Sequence, residues 1–236
     1  MKAEKGKVGA TPRMSKDQRV ANILTVAKRH FGKVGYENFS PVEVAQECGV
    51  SEATIYRYFA SKQDLLERVA EFWVEELLLG APNFKKHDNI YDRLREVIWY
   101  SLWVVHSEPE LSKYIWMAIR SQPDFRSSRI YSLNRRFTAY TTNVIADAMA
   151  QGVFRADISA RTVRNIIFGT IEHEVWSFVQ GDGDFSLEAS VETITGFVFR
   201  GLAVEAPVNV ETFHRALARI QSGLQKIDGA VKQLTD

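Results

Sequence analysis

The sequence predicts an all-α protein with two parts and an added C-terminal helix. Three observations carry this. Apolar residues recur at steps of three and four from residue 15 to the end. Serines followed by helix-compatible runs alternate with Gly and Pro breakers. No alternating strand pattern bounded by turn signals occurs, and no internal repeat. The 236 residues are 45% hydrophobic and 25% charged, an ordinary globular balance.

Residues 1–15 hold Gly6, Gly9 and Pro12 without apolar periodicity and read as a mobile basic arm. Ser15 caps a first helix whose apolar face is Val20, Ile23, Leu24, Ala27 and Phe31; Gly32 and Gly35 should end it. Ser40-Pro41 opens a second, with serine as N-cap, proline at the first position and Glu43 placed to complete a capping box. It ends at Gly49. Ser51 caps a third helix to about Phe59, and Ser61 a fourth, with Asp64 reaching back. Gly80, Pro82 and the polar run 85–89 make a loop. Helices then follow at about 89–106, 109–121, 127–151, 159–180, 187–204 and 208–235, separated by Pro109, Pro123, Gly152, the GDGD at 181–184 and Pro207.

Composition excludes several classes. One cysteine, Cys48, rules out a disulfide framework and any multi-cysteine zinc site; it reads as a small buried filler rather than a redox switch. The longest apolar run, Val97–Val105, is interrupted by Ser101, too short to span a membrane. The first fifteen residues lack the apolar core of a secretory signal, so the expected compartment is the cytoplasm. Residues 1–70 carry twelve Lys/Arg against eight Asp/Glu, whereas 71–236 carry 18 against 21, so a polyanion is expected at the N-terminal end. Glu172-His173-Glu174 lacks HExxH spacing and fits a polar helix interface or part of a cavity. The histidines are scattered, no Ser/His/Asp set can be argued, and no phosphate loop exists. Neither an enzyme nor a cofactor or metal is expected.

Residues 41–60, PVEVAQECGVSEATIYRYFA, have the spacing of a helix-turn-helix. Ala45 is small where two helices cross, Gly49 supplies the turn, and Val50 and Ile55 are apolar where the second helix packs; Val42 and Val44 are candidates for the first helix's buried side. Such a second helix can enter a major groove about 12 Å wide. Ser51 to Ala53 would face base edges, and Thr54, Tyr56, Arg57 and Tyr58 phosphates or neighbouring bases. The helix N-termini at Ser40 and Lys62 can receive phosphate oxygens.

The string GVSEATIYRYFASKQDLL resembles the signature of TetR/AcrR-family transcription regulators, as do Arg19, AKRHF and the Gly-Tyr-x-x-Phe-Ser that precedes the second helix. The resemblance covers about residues 16–68. It implies a DNA-binding domain at 16–62 and a ligand-binding and dimerisation domain at 63–236. The partners implied are double-stranded DNA with a near-palindromic operator, a second copy of the chain, and a small effector that releases the DNA. Ser40, Ser51, Thr54, Tyr56, Tyr58 and Lys62 become backbone contacts, and Glu52, Ala53 and Arg57 candidates for base readout. Glu52 either accepts a hydrogen bond from cytosine or serves as a helix N-terminal charge. The function implied is a ligand-responsive regulator, a repressor more often than an activator. The alternative is a structural or division protein of the same fold without an effector, which a body lacking a cavity would favour.

All five tryptophans lie after residue 70. Trp99, Trp103 and His106 share one helical face; Trp116 and Met117 lie four and three residues before Arg120, the best partner for an anionic or carbonyl head. With Tyr140, Phe168 and His173, these are the candidate ligand residues, for an elongated apolar ligand with a polar head. AIRSQPDF (118–125), QGVFRADIS (151–159) and FGTIEHEVWSF (168–178) resemble segments of family members that respond to fatty acyl-CoA, which points to an acyl-CoA or a fatty acid. Family members usually dimerise through their last two body helices, which gives two stripes here. One is Phe168, Ile171, Val175 and Phe178; the other is Val191, Ile194, Val198 and Leu202. The last helix repeats Val210, Phe213, Leu217, Ile220, Leu224, Ile227, Val231 and Leu234 as a heptad seam that could enlarge the interface.

Overall fold

A computed structural model describes residues 14–204 and 219–221. Nearly all of the basic arm and nearly all of the heptad helix lie outside the described residues. Among those described there is no strand, only an isolated antiparallel bridge between Phe154 and Ala203. No described helix is long and apolar enough to cross a membrane.

Among the described residues, ten α-helices between Lys16 and Leu202 follow the predicted order. In the head, α1 is Lys16–Asn38, α2 Pro41–Glu47 and α3 Glu52–Tyr58, with α4 Lys62–Leu79 joining head to body. The body holds α5 Ile90–Ser107, α6 Pro109–Tyr114, α7 Arg129–Ala150, α8 Ala160–Glu174, α9 Trp176–Gln180 and α10 Leu187–Leu202.

Caps explain the boundaries. Ser15 Oγ accepts from the Gln18 amide at 3.2 Å while Gln18 Oε1 accepts from the Ser15 amide at 2.9 Å, a reciprocal box. Ser61 caps α4 in the same way, but Asp64 reaches one residue further back, to the Ala60 amide at 2.7 Å. The box expected at Ser40 is only half made. Ser40 Oγ accepts from the Glu43 amide at 3.4 Å, and the Glu43 carboxylate turns instead towards His30 Nε2, 3.2 Å away. Ser51 sits at the N-cap of α3 without a capping bond; its hydroxyl is 3.0 Å from that of Thr54.

Gly32 does not end α1. The break falls at Gly35, whose left-handed φ of 69° admits no side chain cheaply. A Cβ there would also stand 2.7 Å from the carboxylate of Glu110, so α1 and α6 meet closely at this point. The predicted helix 159–180 is broken at Val175 into α8 and α9. The predicted helix 109–121 leaves α-geometry after Tyr114: Ile115–Ile119 form a π-turn, closed by the Arg120 amide on the Ile115 carbonyl at 2.9 Å.

The buried side chains form one cluster from Ile23 in α1 to Leu202 in α10. Leu94, Ile98 and Leu102 on α5 are fully buried, and α10 packs chiefly on this helix. Each such side chain contributes about 1.5–3 kcal/mol. Buried Arg93 pins the loop before α5: its Nε donates to the Phe84 carbonyl at 3.1 Å and its Nη2 to Asp147 on α7 at 2.5 Å.

Candidate functional site

The head presents α3 on a rigid support. Val44 and Ala45 of α2 and Ile55 of α3 are buried where the helices cross, with Phe59 just beyond. Val42 is exposed, so the buried side of α2 is Val44's alone of the two valines. Gly49 has a φ of 65° with open space beyond its missing Cβ, so the turn needs glycine for its backbone and not for room. The turn closes through the Val50 amide on the Ala45 carbonyl at 2.9 Å.

With Ile55 turned inward, the opposite side of α3 faces solvent. Ser51, Glu52, Ala53, Tyr56 and Arg57 are exposed, and Thr54 and Tyr58 half-buried. Arg57 lies over the Tyr58 ring at 5.3 Å. Half-buried Lys62, in the first turn of α4, sits over the rings of Tyr36 at 5.3 Å and Phe39 at 5.9 Å, which seats its charge beside the head. Ser40, at the head of α2, is half-buried. Eight of the nine residues expected to meet DNA therefore lie in the three-helix head and Lys62 in the first turn of α4 beside it, five of the nine being exposed.

The body encloses a cavity of about 630 Å³. Its apolar wall comes from Trp73, Val74 and Leu77 of α4, Val104 and Val105 of α5, Ile115 and Trp116 of the π-turn, Phe137 of α7, and Phe168 and Ile171 of α8. Its polar wall includes Arg126, Arg161, Arg164, Asn165, and the pair Arg120–Glu172 at 2.6 Å. Arg164 and Glu172 are eight residues apart on α8, about 12 Å along its axis.

Of the expected ligand residues, Trp116, Arg120 and Phe168 line this cavity. The other six do not. Trp99 and Trp103 stack on each other at 6.0 Å, and Trp103 on Tyr100 at 5.8 Å. The cavity face of α5 is Ser101, Val104 and Val105 instead. His106 is exposed and stacked on Phe178 at 5.6 Å. Met117 is half-exposed beside Gln180, His173 is exposed, and the Tyr140 hydroxyl donates to the Leu78 carbonyl at 3.3 Å. Sequence reading missed Arg126, Arg161 and Arg164. The signal was present for two of them, since Arg161, Arg164, Phe168 and Ile171 lie at steps of three, four and three.

The expected dimer stripes point inward. Ile171, Val175, Val191, Ile194, Val198 and Leu202 are all buried within the single subunit, and Phe178 is half-buried against His106 and Phe185. These residues hold α8, α9 and α10 onto the body. The outward apolar residues of the same helices are Ile166, Trp176 and Phe197, the last 70% exposed. Cys48 is half-buried, and its thiol is pushed up chiefly by burial, as an inert filler would be. Among the described residues no group of three potential metal ligands converges.

Comparison with known proteins follows the same division. Residues 23–69 match the model described as bacterial regulatory proteins, tetR family, and residues 68–201 that of the YsiA-like protein, C-terminal region. The chain is 21% identical over 192 residues to the fatty acid metabolism regulator protein of Bacillus subtilis, covering 79% of this chain and 97% of the relative. It is 24% identical over 168 residues to the nucleoid occlusion factor SlmA of Vibrio vulnificus, covering 70% and 82%. Among solved structures it resembles the transcriptional regulator FadR from Bacillus subtilis in complex with stearoyl-CoA. The TM-score is 0.65 at 21% identity, over 77% of this chain and 98% of that one.

Proposed function

The chain belongs to the tetR family of bacterial regulatory proteins and is a transcriptional regulator, and from that premise we propose that it is a cytoplasmic, effector-released repressor acting as a homodimer. The observation that carries the effector is the cavity of about 630 Å³, walled by aromatics and aliphatics and edged by arginines. Its apolar wall suits an alkyl chain, and Arg120, Arg126, Arg161 and Arg164 suit an anionic head. The relative with stearoyl-CoA bound supports an acyl-CoA or fatty acid as the effector class.

Two copies place two α3 helices on successive major-groove faces of a near-palindromic operator. Glu52, Ala53 and Arg57 then lie against bases, with Ser40, Ser51, Thr54, Tyr56, Tyr58 and Lys62 on phosphates. The copies join through the outward side of α8 and α10, where Ile166 and Phe197 are exposed. An effector that fits the body only at a different head spacing shifts the dimer off the operator by its differential affinity.

The relatives that are nucleoid occlusion factors represent the reading without an effector. A built cavity lined by Arg126, Arg161 and Arg164, which make no ion pair among the described residues, favours the first. The test is isothermal titration of the purified full chain with stearoyl-CoA and with stearate, followed by operator release. Saturable binding of either that releases operator supports the effector reading; binding of neither removes it and leaves the DNA-binding role alone.

A further inference from the structure

A second cavity, of about 370 Å³, lies at the head and shares no lining residue with the first. Its volume is at the small end of the range that ligand sites occupy, about 300–1,000 Å³. Helical spacing builds it. Lys16, Asp17, Val20, Ala21 and Leu24 form one stripe of α1, and Arg68 and Phe72 lie one turn apart on α4. Arg57 and Tyr58 close it from the last turn of α3. Leu24 is buried and Val20, Tyr58 and Phe72 are half-buried, so the floor is apolar. The rim is charged: Lys16, Arg57 and Arg68 are exposed against a single lining carboxylate, that of Asp17. Of these cations only Arg68 has an ion-pair partner among the described residues, Glu71 at 3.7 Å. The positive end of α1 adds to the field, and the sequence before Ser15 brings no compensation, with Lys2, Lys5, Lys7 and Arg13 against Glu4.

A DNA phosphate has no apolar part to cover such a floor, whereas a small ligand with a ring and a charge has both. We infer that this groove is a second effector site, for a small amphipathic anion: an aromatic ring system bearing one carboxylate. The ring covers Val20, Tyr58 and Phe72, two of which are aromatic and favour a flat partner. The carboxylate is received by Lys16, Arg57 and Arg68. Arg57, over the Tyr58 ring at 5.3 Å, already lies beside that floor. Arg57 and Tyr58 are also proposed to meet DNA, so an occupied groove and a bound operator compete directly, and the body cavity takes no part. This consequence rests on the DNA reading of α3; the site itself does not.

The test is methyl NMR of the full chain titrated with 2-naphthoate, with 2-naphthamide as its uncharged counterpart. The methyls of Val20, Ala21 and Leu24 should shift saturably with the carboxylate, and the amide should bind at least about fivefold more weakly. Shifts confined to Val104, Val105 and Ile171 place the probe in the body cavity and overturn the site. Arg68→Glu changes an exposed residue outside the proposed DNA contacts, so it should keep the wild-type melt and weaken 2-naphthoate about tenfold. Equal affinity for acid and amide, or unchanged affinity in Arg68→Glu, overturns the assignment. In anisotropy titrations, saturating 2-naphthoate should lower wild-type affinity at least about fivefold for an operator selected from random duplexes. Groove binding that leaves operator affinity unchanged overturns the competition. A chain that retains no DNA at all sinks the reading of α3, while the NMR arm, run without DNA, still decides the site.

Discussion

Arg120 Nη1 donates to Glu172 Oε1 across 2.6 Å, and both side chains line the cavity. On the proposed effector reading an anionic head would meet this pair, and the carboxylate would hold the guanidinium until the ligand competed for it. Arg120→Ala should weaken stearoyl-CoA binding about tenfold, as the loss of a charge-assisted bond predicts. Glu172→Gln should bind as tightly as wild type or tighter. Both ends of the pair are more than a third exposed, so neither change should cost more than about 1 kcal/mol of stability. Calorimetric titration and thermal melts check both halves.

Arg57 is exposed, rests on Tyr58, and belongs to the face of α3 opposite buried Ile55. Arg57→Ala should lower operator affinity by about 1–3 kcal/mol while leaving the melt and the oligomeric state unchanged. Lys62→Ala should weaken binding to all sequences alike and flatten the salt dependence by about one phosphate's worth. Anisotropy titrations at several salt concentrations separate the two.

On α10, Phe197 is 70% exposed whereas Ile194, three residues earlier, is 4% exposed. Phe197→Glu should therefore yield folded monomers in sedimentation velocity. Ile194→Ala should lower the stability of each subunit by about 2–5 kcal/mol through a core cavity. If Ile194→Ala dissociated the dimer without changing the subunit's melt, the assignment of inner and outer faces would be reversed.

Burial pushes the Tyr114 phenol well above its ordinary value near 10. A raised folded-state value means that this contribution to stability is whole below pH 10 and is lost as pH rises beyond it. Wild type should lose melting temperature above about pH 10, and Tyr114→Phe, which has no proton to lose, should lose less.

Much of this molecule was legible in its sequence, for reasons that differ by region. The head was readable because its signals are local: Ser15, Ser40 and Ser61 cap, Pro41 starts, Gly49 turns. The body helices were placed to within a few residues by Pro109, Gly152 and the GDGD at 181–184. What periodicity could not tell was which apolar stripe faces inward. Ile171, Val191, Ile194 and Val198 satisfy the spacing of a dimer seam and of a core seam equally, and α5 and the rest of the body claimed them first. Periodicity likewise sent Trp99 and Trp103 to the cavity, whereas Ser101, Val104 and Val105, on the opposite face of α5, line it. The π-turn had no signature that spacing reveals, and Arg161 and Arg164 were overlooked because the face they begin had been read as an interface.

The central claim is that α3, in paired copies, reads DNA under control of the cavity. The most direct measurement is retention of genomic DNA fragments by the full-length protein at low salt, repeated with stearoyl-CoA. The account predicts a few retained fragments sharing a two-fold-symmetric sequence, released by the effector and not retained by Arg57→Ala. Retention without sequence preference, and unaffected by Arg57→Ala, would contradict it.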